Sequence, residues 1–174
     1  ASVRALVRRR AGNRCEYCLL RQEHLPFSTF QIEHIVARKH GGNEEPVNLA
    51  LACDRCNSHK GANLTGVDPE TGDITELFNP RQHSWEEHFQ IADIMVVGLT
   101  AVGRTTVFVL NMNEERRVRL RAVLKRQEAS EASARALESG ETTVNTLIGR
   151  LAGQIAQDTE FRREIDRLSK KVET

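Results

Sequence analysis

Between residues 15 and 60 the chain gathers side chains that ligate metals or move protons. Cys15-Glu-Tyr-Cys18 comes first, followed by Glu33-His34, Gly41-Gly42, Asn48, Cys53-Asp-Arg-Cys56-Asn57 and Lys60. Each CxxC turn sets two thiolates on one tight knuckle, and two knuckles complete a tetrahedral S₄ site for zinc. The N-terminus shows no secretory signal, so the cysteines are expected to be reduced rather than joined as disulfides. The shared spacing of the two pairs, and the lack of a thioredoxin-like βαβ setting, argue against a redox pair. Cys15, Cys18, Cys53 and Cys56 are therefore the expected zinc ligands. Such a site is closed, so its zinc is scaffold and supplies on the order of 10 kcal/mol of folding energy to a small lobe.

The other groups suit hydrolysis of a phosphodiester, which needs an activated water and neutralisation of the charge building on phosphate. His34 offers an imidazole for the first task. Glu33 and Asn57 offer a carboxylate and an amide oxygen, the donors a hard cation such as Mg²⁺ takes. In a regular strand Glu33 and His34 face opposite sides. Either the backbone is irregular there or the two work from different directions. Asn57 could also cap a helix, a role asparagine takes in any protein, though the ligand reading is the stronger. Lys60 lies three positions on, which on a helix is the same face, and reads equally as a phosphate contact or a solvated lysine. Arg38, beside the glycine loop, is a candidate for contacts with a nucleic-acid backbone. His59 should point away from Asn57, and His83 and His88, flanking Trp85, read as packing or exposed residues.

The stretch Cys15–Lys60 resembles the HNH, or ββα-metal (His-Me finger), nuclease motif, in the bacterial variety stapled by two CxxC pairs. Its first element corresponds to Glu33-His34, its loop to Gly41-Gly42, its middle asparagine to Asn48-Leu49 and its last element to Asn57. The resemblance implies that His34 is the general base and that Glu33 with Asn57 holds a catalytic Mg²⁺ or Mn²⁺. It also implies that Asn48 braces the loop and so orients His34, and that DNA is the substrate, cut to 5′-phosphate and 3′-hydroxyl ends. Many members carry aspartate where Glu33 stands and histidine where Asn57 stands, which leaves metal preference open. Residues 61–119 resemble an extension of bacterial HNH proteins and imply shared fold more than shared chemistry.

These residues must be positioned by short elements. Ser2 to Arg10 predicts a helix ended by Ala11-Gly12-Asn13. Residues 27–36 predict a strand and 47–52 a second, with a helix beginning near Asp54. So small a unit needs a staple. Asp68–Asp73 is a turn, Trp85–Phe89 a short helix and 93–99 a strand; Thr105–Leu110 suits either a strand or a short helix. Residues 114–138 and 141–172 read as two helices around a break at Ser139-Gly140. Apolar residues recur at Val144, Ile148, Leu151 and Ile155, then, in a shifted register, at Phe161, Ile165, Leu168 and Val172. The expected class is α+β: a zinc-stapled ββα-metal core (1–66), an α/β extension packed on it (67–113) and a C-terminal helical arm (114–174).

The net charge of +1 hides an uneven distribution. Residues 1–66 carry ten Lys/Arg against six Asp/Glu, and residues 67–113 carry two against seven. The excess of positive charge falls on the motif region, where a nuclease would want it. No stretch approaches the length of a membrane span, and a cytoplasmic protein is expected. Two further possibilities stand beside a nuclease: a catalytically silent zinc-stapled binding module, and homo-oligomer or partner assembly through the C-terminal helices.

Overall fold

The computed structural model describes residues 2–157 and Arg163, and the fold is α+β with a zinc-stapled core. Helix α1 spans Val3–Arg10; the Ser2 hydroxyl caps it by accepting the Ala5 N–H at 3.3 Å. Three arginines in its last turn suit the negative end of the helix dipole. Two of them fasten the helix to the site-bearing segments. Arg8 donates to the Phe30 carbonyl at 2.5 Å, and Arg10 donates to those of Pro46 and Leu49 at 2.9 and 2.6 Å.

Strand β1 (Gln31–His34) pairs antiparallel with β2 (Leu49–Ala52), placing Glu33 opposite Ala50 and His34 opposite Leu49. Helix α2 (Asp54–Lys60) follows at once, with Cys53 as its N-cap. The strand expected over 27–36 is thus confined to its second half. Upstream, the Gln22 side chain donates to the Ser28 carbonyl at 2.5 Å and accepts the Phe30 N–H at 2.8 Å. Backbone groups that a ladder would have paired are satisfied by that one amide, and Phe27 stands wholly exposed.

Beyond the lobe, β3 (Thr65–Val67) and β4 (Ile74–Glu76) form a hairpin around the expected 68–73 turn. Helix α3 (Trp85–His88) leads into a second hairpin, β5 (Phe89–Ala92) and β6 (Met95–Gly98). Asp93, with φ of +57°, makes the turn, so the strand expected from residue 93 starts two residues later. Phe78 gathers Tyr17, Phe89, His83 and His88 around its ring, and the indole N–H of Trp85 donates to the Tyr17 carbonyl at 2.8 Å. His83 and His88 are therefore packing residues. The ambiguous 105–110 segment lies in a helix, α4 (Ala101–Val109): Thr100 caps it, and the Thr106 hydroxyl bonds back to the Val102 carbonyl at 2.7 Å. β-Branched side chains are tolerated there because Thr105 and Thr106 are buried, where packing outweighs propensity.

Asp68 is fully buried and takes a fork from Arg104, with contacts of 3.0 and 2.5 Å, tying the first hairpin to α4. The hydrogen bonds from Arg104 hold its carboxyl below the usual aspartate range. Its contribution to stability is therefore complete above about pH 4 and is lost as pH falls through the lowered folded-state value. In an acid titration of thermal stability, Asp68→Asn should melt below the native chain at neutral pH. The gap should close on acidification.

The last element, α5, runs from Glu115 to Gln157 as one helix. The expectation of two helices around Ser139-Gly140 is corrected. Glycine keeps its N–H, so inside a helix it costs only about 1 kcal/mol of propensity and does not interrupt the hydrogen-bond ladder. The Ser139 hydroxyl bonds back to the Ala136 carbonyl at 2.9 Å, inside the helix. The chain divides into two compact units, one ending at Ala122 and the other beginning at Val123. In the second, Leu137, Val144, Leu147, Ile148 and Leu151 are exposed. Phe161, Ile165, Leu168 and Val172 lie outside the described residues. Among the described residues no helix is long and apolar enough to cross a membrane.

Candidate zinc centre and phosphodiester site

Two backbone devices form the cysteine cluster. The first knuckle is closed by the Cys15 N–H donating to the Leu20 carbonyl at 2.8 Å and the Leu19 N–H to that of Cys15 at 2.9 Å. Leu19 takes a left-handed φ of +61° to make the turn. The second knuckle is the first turn of α2, where the Cys53 sulfur accepts the Cys56 N–H at 3.5 Å. All four cysteines are buried and unbridged, and their sulfurs lie within 4.8 Å of one another. The Cys18 and Cys53 sulfurs are 3.8 Å apart. A tetrahedron with Zn–S bonds of about 2.3 Å has edges of about 3.8 Å, so the donor set fits a structural zinc ion.

Electrostatics divides the cluster. Burial pushes the Cys15 and Cys56 thiols well above the usual range. Hydrogen bonds from Cys15, Cys53 and Cys56 hold Cys18 well below it, and those from Cys15 and Cys56 lower Cys53. A divalent cation would take the place of the protons on so dry a set of sulfurs. Arg117, from the first turn of α5, donates to Cys53 at 2.7 Å and to Cys56 at 3.3 and 3.4 Å. Its burial works against the charge, but the Cys56, Cys18 and Cys53 sulfurs outweigh that and raise its pKa.

His34 and Glu33 face opposite sides of β1, as a regular strand requires. The His34 imidazole is partly exposed, and its Nε2 lies 2.9 Å from Glu44 Oε1. The same carboxylate oxygen takes the Arg38 guanidinium. Arg38 and His34 hold the Glu44 carboxyl below its usual range. Asn48 spans the intervening loop: its Oδ1 accepts the Val36 N–H at 2.9 Å, and its Nδ2 donates to the Val36 and Asn43 carbonyls at 3.0 and 2.9 Å. A Cβ on Gly42 would fall 1.6 Å from the Val36 carbonyl oxygen, so the loop closes on itself only where a side chain is missing.

On the other face of β1 two rungs join the strand to α2. Asn57 Nδ2 donates to Gln31 Oε1 at 2.8 Å. Lys60 Nζ donates to Glu33 Oε1 at 2.5 Å and to the Ile35 and His34 carbonyls at 2.9 and 3.2 Å. Tyr17 donates its hydroxyl to Glu33 Oε2 at 2.7 Å. Glu33 is 3% exposed and Lys60 1%. Burial pushes the Glu33 carboxyl up, and Lys60 and Tyr17 pull it back.

Two expectations change here. Lys60 is not at the surface to meet a phosphate: its ammonium is fully engaged inside the lobe. Both oxygens of Glu33 are occupied, by Lys60 and Tyr17, while the Asn57 amide pairs with Gln31, so an ammonium stands where a cation would approach. As it stands, this donor set does not fit a divalent ion. Arg38 does lie where expected, three-quarters exposed beside the His34 loop, and His59 faces Glu114 rather than Asn57.

Sequence reasoning missed Glu44, Tyr17, Gln31 and Arg117. Tyr17 lies within the first CxxC and Glu44 within the glycine loop, so their neighbourhoods were marked although their contacts were not. Arg117 falls in an arginine-rich run with Arg116, Arg119, Arg121, Lys125 and Arg126 that reads from sequence as a solvated helix face or a DNA-backbone contact; Arg117 and Arg121 are instead buried, and the partner of Arg117, 61 residues back at Cys56, carries no local signal.

Residues 15–63 match the family model described as HNH endonuclease. The match takes in both CxxC pairs, the His34 loop and the whole of α2. No curated protein and no solved structure matches the chain.

Proposed function

We propose that this chain, through its HNH segment at residues 15–63, is an endonuclease that hydrolyses DNA phosphodiester bonds with His34 as general base. The observation that carries the reading is the placement of His34. Its imidazole ends β1, reaches solvent, is held at Nε2 by Glu44 and stands over a loop braced by Asn48. A carboxylate on one ring nitrogen fixes the ring's orientation and stabilises the cation formed when the base takes a proton from water. Arg38 offers a fork to the phosphate carrying the scissile bond. Binding there exchanges Glu44 for a phosphate oxygen on the same guanidinium.

The family resemblance implies Mg²⁺ or Mn²⁺ at the reaction centre. The engagement of Glu33 by Lys60 and Tyr17 leaves no place for such an ion on that carboxylate, and no step is routed through one. The same engagement favours the competing reading, a zinc-stapled module that binds nucleic acid without cutting it.

The test is conversion of supercoiled plasmid to relaxed circles with Mg²⁺ or Mn²⁺, with zinc content monitored in a parallel chelator arm. His34→Ala should lower the rate on the order of 10²- to 10⁴-fold, with zinc content and melting temperature unchanged. Cleavage at the native rate by His34→Ala would remove His34 from the chemistry. A folded, zinc-loaded native chain that binds DNA and never cuts it would establish the binding module instead.

A further inference from the structure

We propose that Arg117 is a working part of the zinc centre, a guanidinium that neutralises the metal-bound thiolates and ties the start of α5 to them. The inference rests on the zinc reading of the cysteine cluster.

Arg117 is 4% exposed, and among the described residues its guanidinium pairs with no carboxylate. The three hydrogen bonds it donates all end on sulfur, one on Cys53 and two on Cys56. Guanidinium stays charged in any protein interior. Burying it without a counter-charge costs several kcal/mol, and four neutral thiols supply none. Zinc-bound thiolates supply that counter-charge at the sulfurs the guanidinium reaches. Zinc with four thiolates carries a net charge of −2, so the cation and the metal site each resolve the other's imbalance.

The geometry agrees with that role. A planar fork reaches two sulfurs at once, which a single ammonium cannot do. Both sulfurs belong to the second knuckle, the one built on the first turn of α2, so one side chain joins the starts of two helices. Arg121, one turn further along α5, is also buried; it donates to the Met112 carbonyl at 3.1 Å and to Asn113 Oδ1 at 2.9 Å. That fixes the same helical turn to the segment before it. Arg117 lies far outside residues 15–63, so the segment with the family's motif does not contain the whole of its own metal centre.

The experiment uses the full chain, native and as Arg117→Met and Arg117→Lys. Zinc transfer to a metallochromic chelator gives the release rate. The thiolate-to-metal charge-transfer bands of the Co²⁺-substituted protein report on the sulfurs directly. Outer-sphere partners of a metal are typically worth 10- to 100-fold in affinity. Arg117→Met should release zinc faster by that order and shift the Co²⁺ bands, with amide exchange rising in the first turns of α5. Arg117→Lys should fall between, since it keeps the charge and loses the fork. If Arg117→Met does not fold, Arg117→Lys decides alone, and a native release rate with native Co²⁺ bands overturns the proposal. So does a folded Arg117→Met that holds zinc as the native chain does. Native chain carrying no zinc would overturn the zinc reading itself, and metal analysis before the chelator is added separates that failure from the failure of Arg117.

Discussion

Cys53→Ser is expected to cost the chain its zinc and unfold the lobe that carries His34. Cys53 does three things at once. It contributes one of the four clustered sulfurs, it caps α2 by accepting the Cys56 N–H, and it receives the shortest of the Arg117 hydrogen bonds. Serine could keep the cap but is a poor zinc ligand, and structural zinc sites contribute on the order of 10 kcal/mol of folding energy. That matches or exceeds the stability of most domains, so partial folding is not expected. Metal analysis should show zinc lost, and circular dichroism should show helix and strand lost with it. A Cys53→Ser chain that kept both zinc and its native melting curve would show that the cluster is not what holds the lobe together. The contrast with His34→Ala, which should melt normally and fail only to cut, separates scaffold from chemistry within a single motif.

Lys60→Met should destabilise the protein by about 3–5 kcal/mol, the usual effect of removing one partner from a buried ion pair. Glu33 would be left in the core with only the Tyr17 hydroxyl and would have to take up a proton to stay there. Replacing both members, as Glu33→Gln with Lys60→Met, should recover most of the loss, because no buried charge then remains uncompensated. Chemical denaturation of the native chain, the two single variants and the double variant measures the coupling. The same set bears on Glu33 as a metal ligand. If Glu33 holds Mg²⁺ or Mn²⁺ during the reaction, removing the competing ammonium should strengthen the chain's affinity for those ions. If Glu33 serves the fold, Lys60→Met only weakens the protein and leaves that affinity unchanged.

Local spacing revealed the parts of this protein that depend on local spacing. Two CxxC pairs are legible because four thiolates at that separation have few other uses, and Asn48 and the glycine pair stand out by the company they keep. Alternation puts Glu33 and His34 on opposite sides of a regular strand, but only the structure shows that β1 is regular there. What alternation could not reveal was which face carries the partners. Lys60 shares a helix face with Asn57, as spacing required, but that face is turned inward onto β1, so its ammonium meets Glu33 rather than a phosphate. Turning a helix face in or out is a tertiary decision. Glu44 and Arg117 were missed for the same reason, since their significance lies in what they touch across a loop or across the fold. The single α5 helix is hidden for a different reason: Ser139-Gly140 lowers helix propensity as a break does, although the backbone there keeps every donor.

The order of the zinc centre along the chain bears on how the protein is made. Cys18 and Cys53 are 35 positions apart, and His34 lies in the loop between them. During synthesis the first knuckle leaves the ribosome well before the second, so a chain part-way through translation has His34 but only half of the sulfur cluster. Only after Cys56 has emerged can a metal ion close that loop. Arg117 emerges later still, 61 residues on. Closure of the lobe therefore waits on metal supply as well as on translation.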